Sequence, residues 1–393
     1  MLSARPKHHA NSSRSLFQNP WTVAESDAAP PSDYWPVSLA SLRLPAFQGF
    51  PSISIERVRA SESHPHPPIK VIRPDWGHPT ALSSEPNLKA TWLGHASFLV
   101  EFPCVGGGLD DKPLRVLFDP IFSDCSGPLP WLGVRRRLPP PCAVAELPEF
   151  QFVVYSHNHY DHLDLPTLQK IYELRAEHVH FLVPLGEFLF FFPFRPDDRV
   201  IKGNKTWFEE AGIPSSQVTE LDWWDHTTLP NLPGSAQQLK FVCTPAQHTS
   251  EIGSKCGPFD VAMLPIWRGG TLSFIARLGF RLVHAPDSLL TAFHATPAQA
   301  LRMHGALRAR HSLGMHFATF AGSDVEALDP IVELERAKRE ARIVGDWWTE
   351  GGMGVIDIGE TAVVHVGEAP QKSDDDHAPH ANVRSNNETP KSA

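Results

Sequence analysis

Short apolar runs alternate with amphipathic helical stretches along most of this 393-residue chain, and that alternation predicts an α/β fold. Two further observations support it. The apolar run Phe152–Tyr155 ends in His157, His159, Asp161 and His162, then passes into a helix at Asp164-Leu-Pro166. Other residues with metal-binding chemistry also follow apolar runs, at the strand ends where α/β folds gather their sites.

The length allows one large domain or two average ones, and 41% hydrophobic residues suffice for a substantial core. A net charge of -9 argues against nucleic acid as a partner. Five scattered cysteines without a C-x-x-C pair fit reduced thiols rather than a disulfide framework. No apolar run reaches the roughly 18 residues of a membrane span, so the expectation is a soluble intracellular or peripheral membrane protein. Arg5, Lys7 and Arg14 precede the first acidic residue, Glu25, and this stretch is read as a polar leader rather than a transit peptide.

Residues 1–86 hold 13 of the 38 prolines and are read as an irregular arm, with aromatic residues that could rest on the core. The domain follows over 87–366. Ala90–Phe102 reads as strand, Gly-His turn, strand, and Leu114–Phe118 as a further strand ending at Asp119-Pro120. Residues 123–149 read as a Pro-rich loop bearing Arg135, Arg136 and Arg137. Asp164 is expected to cap a helix that turns Leu165, Leu168 and Tyr172 inward. Strands are expected at 179–183, 218–224, 240–244, 259–266 and 281–284. A short helix is expected from Lys205 to Gly212, where glycine stops it. Thr296-Pro297 opens an amphipathic helix, 312–315 is a strand ending at His316, and Asp329-Pro330 caps a helix with Ile331, Leu334, Ala341 and Val344 inward. Val355–Ile358 and Ala362–Val366 close the domain. Residues 367–393 contain no aromatic, Leu or Ile residue and are expected to be disordered.

Four potential metal ligands within six residues, 157–162, on a strand-to-helix turn read as a metal site rather than an exposed His-rich loop. Imidazole and carboxylate together suit zinc, and few protein ligands leave room for an activated water. His248 follows the strand ending at Thr244, and His316 follows the strand ending at Met315. Each is weak alone; with the first cluster they form a coherent set.

The words Thr91-Trp-Leu-Gly-His-Ala96, Asp119-Pro-Ile-Phe-Ser123, Ser156-His-Asn-His-Tyr-Asp-His-Leu-Asp164, Glu220-Leu-Asp-Trp-Trp-Asp225, Thr244-Pro-Ala-Gln-His248 and Gly257-Pro-Phe-Asp260 carry a resemblance. The chain resembles a metallo-β-lactamase-fold hydrolase, and within that superfamily the N-acylphosphatidylethanolamine-hydrolysing phospholipase D family. The resemblance implies an αβ/βα sandwich of two facing mixed sheets with helices outside. It implies two zinc ions, one on His157, His159 and His248 and the other on Asp161, His162 and His316. Asp161 would also position the metal-bound hydroxide. Tyr160 and His294 match positions near the substrate headgroup. The implied reaction is phosphodiester hydrolysis of a phospholipid at a membrane surface, giving phosphatidic acid and N-acylethanolamine; a homodimer is admitted.

The chain departs from the family pattern twice. Residues 187–203 look like an insertion. After residue 250 the family's strand segment with its metal-bridging Asp is expected to be missing, since only Thr249–Cys256 separate His248 from Gly257. Asp287 lies beyond that landmark and is a weak substitute ligand. Loss of the bridge would weaken the second metal. The competing readings are therefore a hydrolase of another ester, lactone or phosphodiester, and a catalytically impaired metal-binding protein.

Overall fold

The computed structural model describes residues 54–57, 68–77, 87–103, 113–186, 203–230, 237–245, 249–267, 280–284, 294–321 and 324–366. Two sheets dominate. The larger runs, edge to edge, β16 (Thr361–His365), β2 (Asn87–Gly94), β3 (Ser97–Phe102), β4 (Leu114–Phe118), β7 (Phe152–Val154), β8 (His180–Pro184) and β9 (Val218–Leu221). It is antiparallel from β16 to β4 and parallel from β4 to β9. The smaller is parallel: β12 (Phe259–Pro265), β14 (Ala309–Met315) and β15 (Gly352–Gly354).

Strand alternation sorts side chains to the two faces of the large sheet. Leu99, Leu117, Val153 and Phe181 join one core cluster with Leu168 and Ile171 of helix α1 (Leu165–Arg175) and Phe208 of α2 (Gly203–Glu210). Trp92, Phe98 and Val100 face the other way. They share a second cluster with Leu264 and Leu313 of the small sheet. Ile252 of α3 (Thr249–Cys256), Leu301 of α4 (Pro297–Leu307) and Leu334 of α5 (Asp324–Ala341) belong to the same cluster. The two sheets face each other as expected, with Trp92 stacked on Phe317 at 5.0 Å, but the smaller is parallel where a mixed sheet was expected.

Over β4, β7 and β8 a different element covers the inner face. Strands β10 (His226–Pro230) and β11 (Gln238–Val242) form a hairpin. Its Leu229, Leu239 and Phe241 pack on Val116, Phe152 and Leu182. The first strand of the hairpin, Thr-rich and with alternating exposure, was not expected from the sequence. The arm contributes β1 (Ser54–Arg57), paired with β13 (Phe280–His284), and Ile69, which is buried in the second cluster. Residues 187–202 and the tail from 367 lie outside the described residues.

Several local expectations change. The stretch 123–149 is not one loop: β5 (Cys125–Leu129) and β6 (Leu132–Arg135) pair as a hairpin. A Cβ on Gly133 would fall 1.9 Å from the Ser126 carbonyl oxygen, so only glycine permits the pairing. β9 stops at Leu221 because the Asp222 carboxylate takes the Trp223 amide at 2.8 Å and turns the chain. Asp164 sits at the N-cap of α1, yet its side chain makes no cap bond. It accepts instead from the Ser123 amide and hydroxyl, at 3.3 and 2.7 Å, and from Thr167. The buried face of α1 is Thr167, Leu168 and Ile171, while Leu165 is exposed. Helix α5 starts at Asp324 and runs through Pro330, because Ala327, Leu328, Ile331 and Leu334 bury one continuous face. Ala341 and Val344 point to solvent.

Candidate metal centre

Three strand ends and one turn converge between the sheets. Asp119 follows β4, residues 156–162 follow β7 and His316 follows β14, all at carboxyl ends of parallel strands. His95 occupies the tight turn between β2 and β3. His95, Asp119, His316 and Ala318 all have positive φ, between 40° and 63°. Such backbone is disfavoured for residues with a Cβ, and it clusters where surrounding structure holds it in place.

The centre is a knot of three imidazoles and a carboxylate. One ligand atom each from His95, Asp161, His162 and His316 lies within 4.8 Å of the others. Asp161 Oδ2 is 2.9 Å from His95 Nε2, 3.4 Å from His316 Nε2 and 3.6 Å from His162 Nε2. His162 Nε2 and His316 Nε2 face each other at 3.0 Å. His162 Nδ1 meets Asp119 Oδ2 at 2.8 Å, and a neutral ring donating there turns a lone pair toward His316 and Asp161. Asp119 is itself held by the Ser156 amide and hydroxyl, at 2.6 and 2.7 Å. The backbone joins in: the His316 amide donates to the His95 carbonyl at 3.0 Å, and the His95 amide donates to Thr319 Oγ1 at 2.6 Å.

Burial keeps two of the rings in and beside the centre, His95 and His157, neutral. Burial, reinforced by the neighbouring His316, pushes His95 down to about 3. Burial and the adjacent His162 push His157 down to about 3. Burial would lower His162 too, but the Asp119 carboxylate outweighs it and the ring stays above its ordinary value. Burial would raise Asp161, yet hydrogen bonds to His316 and His95 hold it well below the carboxylate range. An ionised carboxylate beside three imidazoles is a cation-binding set. The close His162–His316 pair is spanned either by one ring proton, as an Nε2–H···Nε2 bond, or by a metal in its place. Among the described residues the buried Nδ1 of His316 has no hydrogen-bond partner, and that ring is held there by packing and by its Nε2 side.

The expected ligands Asp161, His162 and His316 are thus brought together. His157 and His159 lie alongside, with ring centroids 4.6 Å apart and the His157 ring 4.0 Å from His162. His248 and Asp287 lie outside the described residues. His294 stands beside the centre, 5.2 Å from the His316 ring and 5.0 Å from Trp267, and burial and His316 push it down to about 4. Tyr160 is half-buried, and burial pushes its phenol up to about 12. Sequence reasoning missed two functional residues. His95 and Asp119 both lay inside quoted words, but neither sits in a ligand spacing. Only the Gly-His turn between two apolar strands, and an Asp placed directly at a strand end, could have marked them.

Fold and centre together define a metal-dependent hydrolase. Residues 114–288 match the family described as Beta-lactamase superfamily domain. The N-acyl-phosphatidylethanolamine-hydrolyzing phospholipase D 1 of Caenorhabditis elegans is 27% identical over 304 residues, covering 66% of this chain and 73% of its own length. The mitochondrial enzyme of the same name from Saccharomyces cerevisiae is 25% identical over 286 residues, covering 65% of this chain and 54% of its own. Among solved structures, the isothiocyanate hydrolase from Delia radicum gut bacteria aligns with a TM-score of 0.41 at 14% identity, over 71% of this chain and 100% of that one.

Proposed function

We propose that the protein is a zinc-dependent phosphodiesterase of the phospholipase D type, which hydrolyses N-acylphosphatidylethanolamine to phosphatidic acid and N-acylethanolamine. The observation that carries this reading is the convergence of Asp161, His162 and His316 at strand ends, in a chain whose relatives include two enzymes of that name. The donor set fits zinc, which when bound supplies a Lewis acid for the phosphoryl oxygen and a water acidified toward neutrality. Asp161, His162 and His316 would hold it, and His157, His159 and His248 are proposed for a second ion. Asp119 fixes the His162 tautomer, and His95 fixes the Asp161 carboxylate. Asp161 orients the attacking water, and neutral His294 and Tyr160 flank the phosphate. Water oxygen bonds to phosphorus, the bond from phosphorus to the ethanolamine oxygen breaks, and that oxygen takes a proton.

The test is zinc-loaded protein with N-acylphosphatidylethanolamine in detergent micelles, followed by mass spectrometry. Both products should appear, and Asp161→Asn should abolish them. Turnover of a soluble phosphodiester or lactone without turnover of the lipid would move the assignment to another ester. A second reading, an impaired metal-binding protein, is favoured by one observation: Asp161 is the only carboxylate at the centre among the described residues. Protein that holds a single zinc and turns over none of these substrates would establish it.

A further inference from the structure

The β5–β6 hairpin is not used by the chemistry above, yet it is built from the rim of the metal centre. Its base is fastened there at several points. The Arg136 amide donates to Asp124 O at 2.8 Å and the Arg137 amide to Thr319 O at 2.7 Å. The Arg136 guanidinium donates to the carbonyls of Ile121 and Ser123, at 2.6 and 3.0 Å, and lies over the Phe320 ring at 4.9 Å. Phe320 in turn packs edge-on against His95, with centroids 5.2 Å apart. The base is therefore rigid with respect to the site.

The tip has the opposite character. Leu129 is 39% exposed and Trp131 69% exposed, with Pro130 between them. From Cys125, β5 carries Leu129 roughly 13 Å outward, at the usual rise per strand residue. The tip strands pair only with each other among the described residues. The exposed side chains of Arg135 and Arg137 stand at the base, with exposed Asp124 as the acidic neighbour. Apolar residues at a tip, including Trp, with cations behind them match the layering of a bilayer surface: apolar groups reach acyl chains, and arginines meet phosphates.

The molecule has a second exposed apolar pair, Val344 and Trp348. It precedes β15, and the Gly351 amide bonds Arg310 at the start of β14, so it lies at the end of the parallel sheet opposite His316. A surface that must bring a lipid phosphate to the centre lies on the hairpin side.

We propose that the Leu129–Trp131 hairpin tip, backed by Arg135 and Arg137, inserts into a phospholipid bilayer containing anionic lipid and seats the metal centre at the headgroup layer. This rests on the lipid-phosphodiester reading, but its test needs no turnover. Full-length protein is sedimented with phosphatidylcholine vesicles containing about 30 mol% phosphatidylglycerol, and with vesicles of phosphatidylcholine alone. Wild type should bind the anionic vesicles. Trp131→Ala should lower partitioning about tenfold, as expected for one large apolar side chain withdrawn from the bilayer. Arg135→Gln should weaken binding to anionic vesicles and leave phosphatidylcholine binding unchanged. Trp348→Ala should bind as wild type, and circular dichroism checks that each variant is folded. The proposal is overturned by wild type that fails to sediment, by Trp131→Ala that binds undiminished, or by Trp348→Ala that loses as much. Light scattering covers the remaining occupant: if Trp131→Ala only dissociates a dimer, the tip is an interface between copies and the proposal falls. Micellar hydrolysis with no vesicle binding would sink the docking surface and leave the activity standing.

Discussion

At the residue scale the centre depends on side chains that need not touch a metal. Asp119 is buried, and although burial would raise its carboxyl, the His162 ring and the Ser156 groups hold it low and ionised. It dictates which His162 nitrogen offers a lone pair. Asp119→Asn keeps the shape and loses that control, because an amide can donate to Nδ1 as readily as accept from it. Zinc affinity should fall roughly 10- to 100-fold, the usual cost of losing such a partner, with secondary structure unchanged. Competition against a chelating dye reads the affinity, and undiminished binding would mean that His162 is oriented by its other contacts alone. His95 shows why part of the centre was not legible in the sequence. The cluster 157–162 announces itself by local spacing, and His316 by its place after an apolar run. His95 reaches Asp161 only because a two-residue turn with positive φ tips it under β14, a contact between residues 66 positions apart.

At the element scale the large sheet is pinned by a cross-strand ion triad. Lys89, Glu101 and Arg115 are register partners on β2, β3 and β4, and Glu101 meets Lys89 at 2.9 Å and Arg115 at 2.7 Å. Burial would raise the Glu101 carboxyl, but the two cations bring it below its ordinary 4.5. A depressed folded value contributes stability above the unfolded value and loses it as the pH falls through the folded one. Glu101→Gln should therefore cost about 1–2 kcal/mol at neutral pH, with the gap from wild type closing as the pH falls through the depressed Glu101 value. Urea titrations at several pH values measure this, and a gap that persists in acid would assign the loss to packing. Helix α4 gives a simpler case. Thr296 accepts from the Gln299 amide at 3.2 Å, and the Gln299 side chain returns the bond to the Thr296 amide at 2.8 Å. Thr296→Ala should lower stability by about 1 kcal/mol, seen as a lower urea midpoint at unchanged slope. This cap was legible because Thr-Pro before an amphipathic run is a local signal. The start of α5 was not, because a buried face carried the helix through a proline that locally reads as a boundary.

At the scale of the whole molecule the centre is a clasp between the two sheets. Asp161 and His162 hang from β7 of the large sheet, and His316 from β14 of the small one. The sheets already meet at this end through the His316-to-His95 and His95-to-Thr319 bonds, the Trp92–Phe317 stack and the Asp161 contacts, and a cation would add a further link. A metal that binds here binds only the folded chain, so occupancy stabilises by mass action: about 2.7 kcal/mol when free zinc is 100-fold above its Kd. In a domain of this size that corresponds to a rise in Tm of about 5–10 °C. Removing metal with a chelator should take the rise away and zinc should restore it, while His316→Ala should show no zinc-dependent shift. The pH dependence has a definite sign. Zinc needs its ligands unprotonated, and Asp161 is ionised far into acid. Asp119 raises His162 above 6.5, so this ring takes a proton before His95 does. The zinc-dependent rise should therefore be full above neutrality and shrink as the pH falls through the His162 range. Replacing Asp119 with Asn removes the charge that raises His162, so the same loss should move to lower pH. If elemental analysis shows the metal gone and Tm has not moved, the two sheets are held by their hydrophobic contact alone and the centre serves only chemistry.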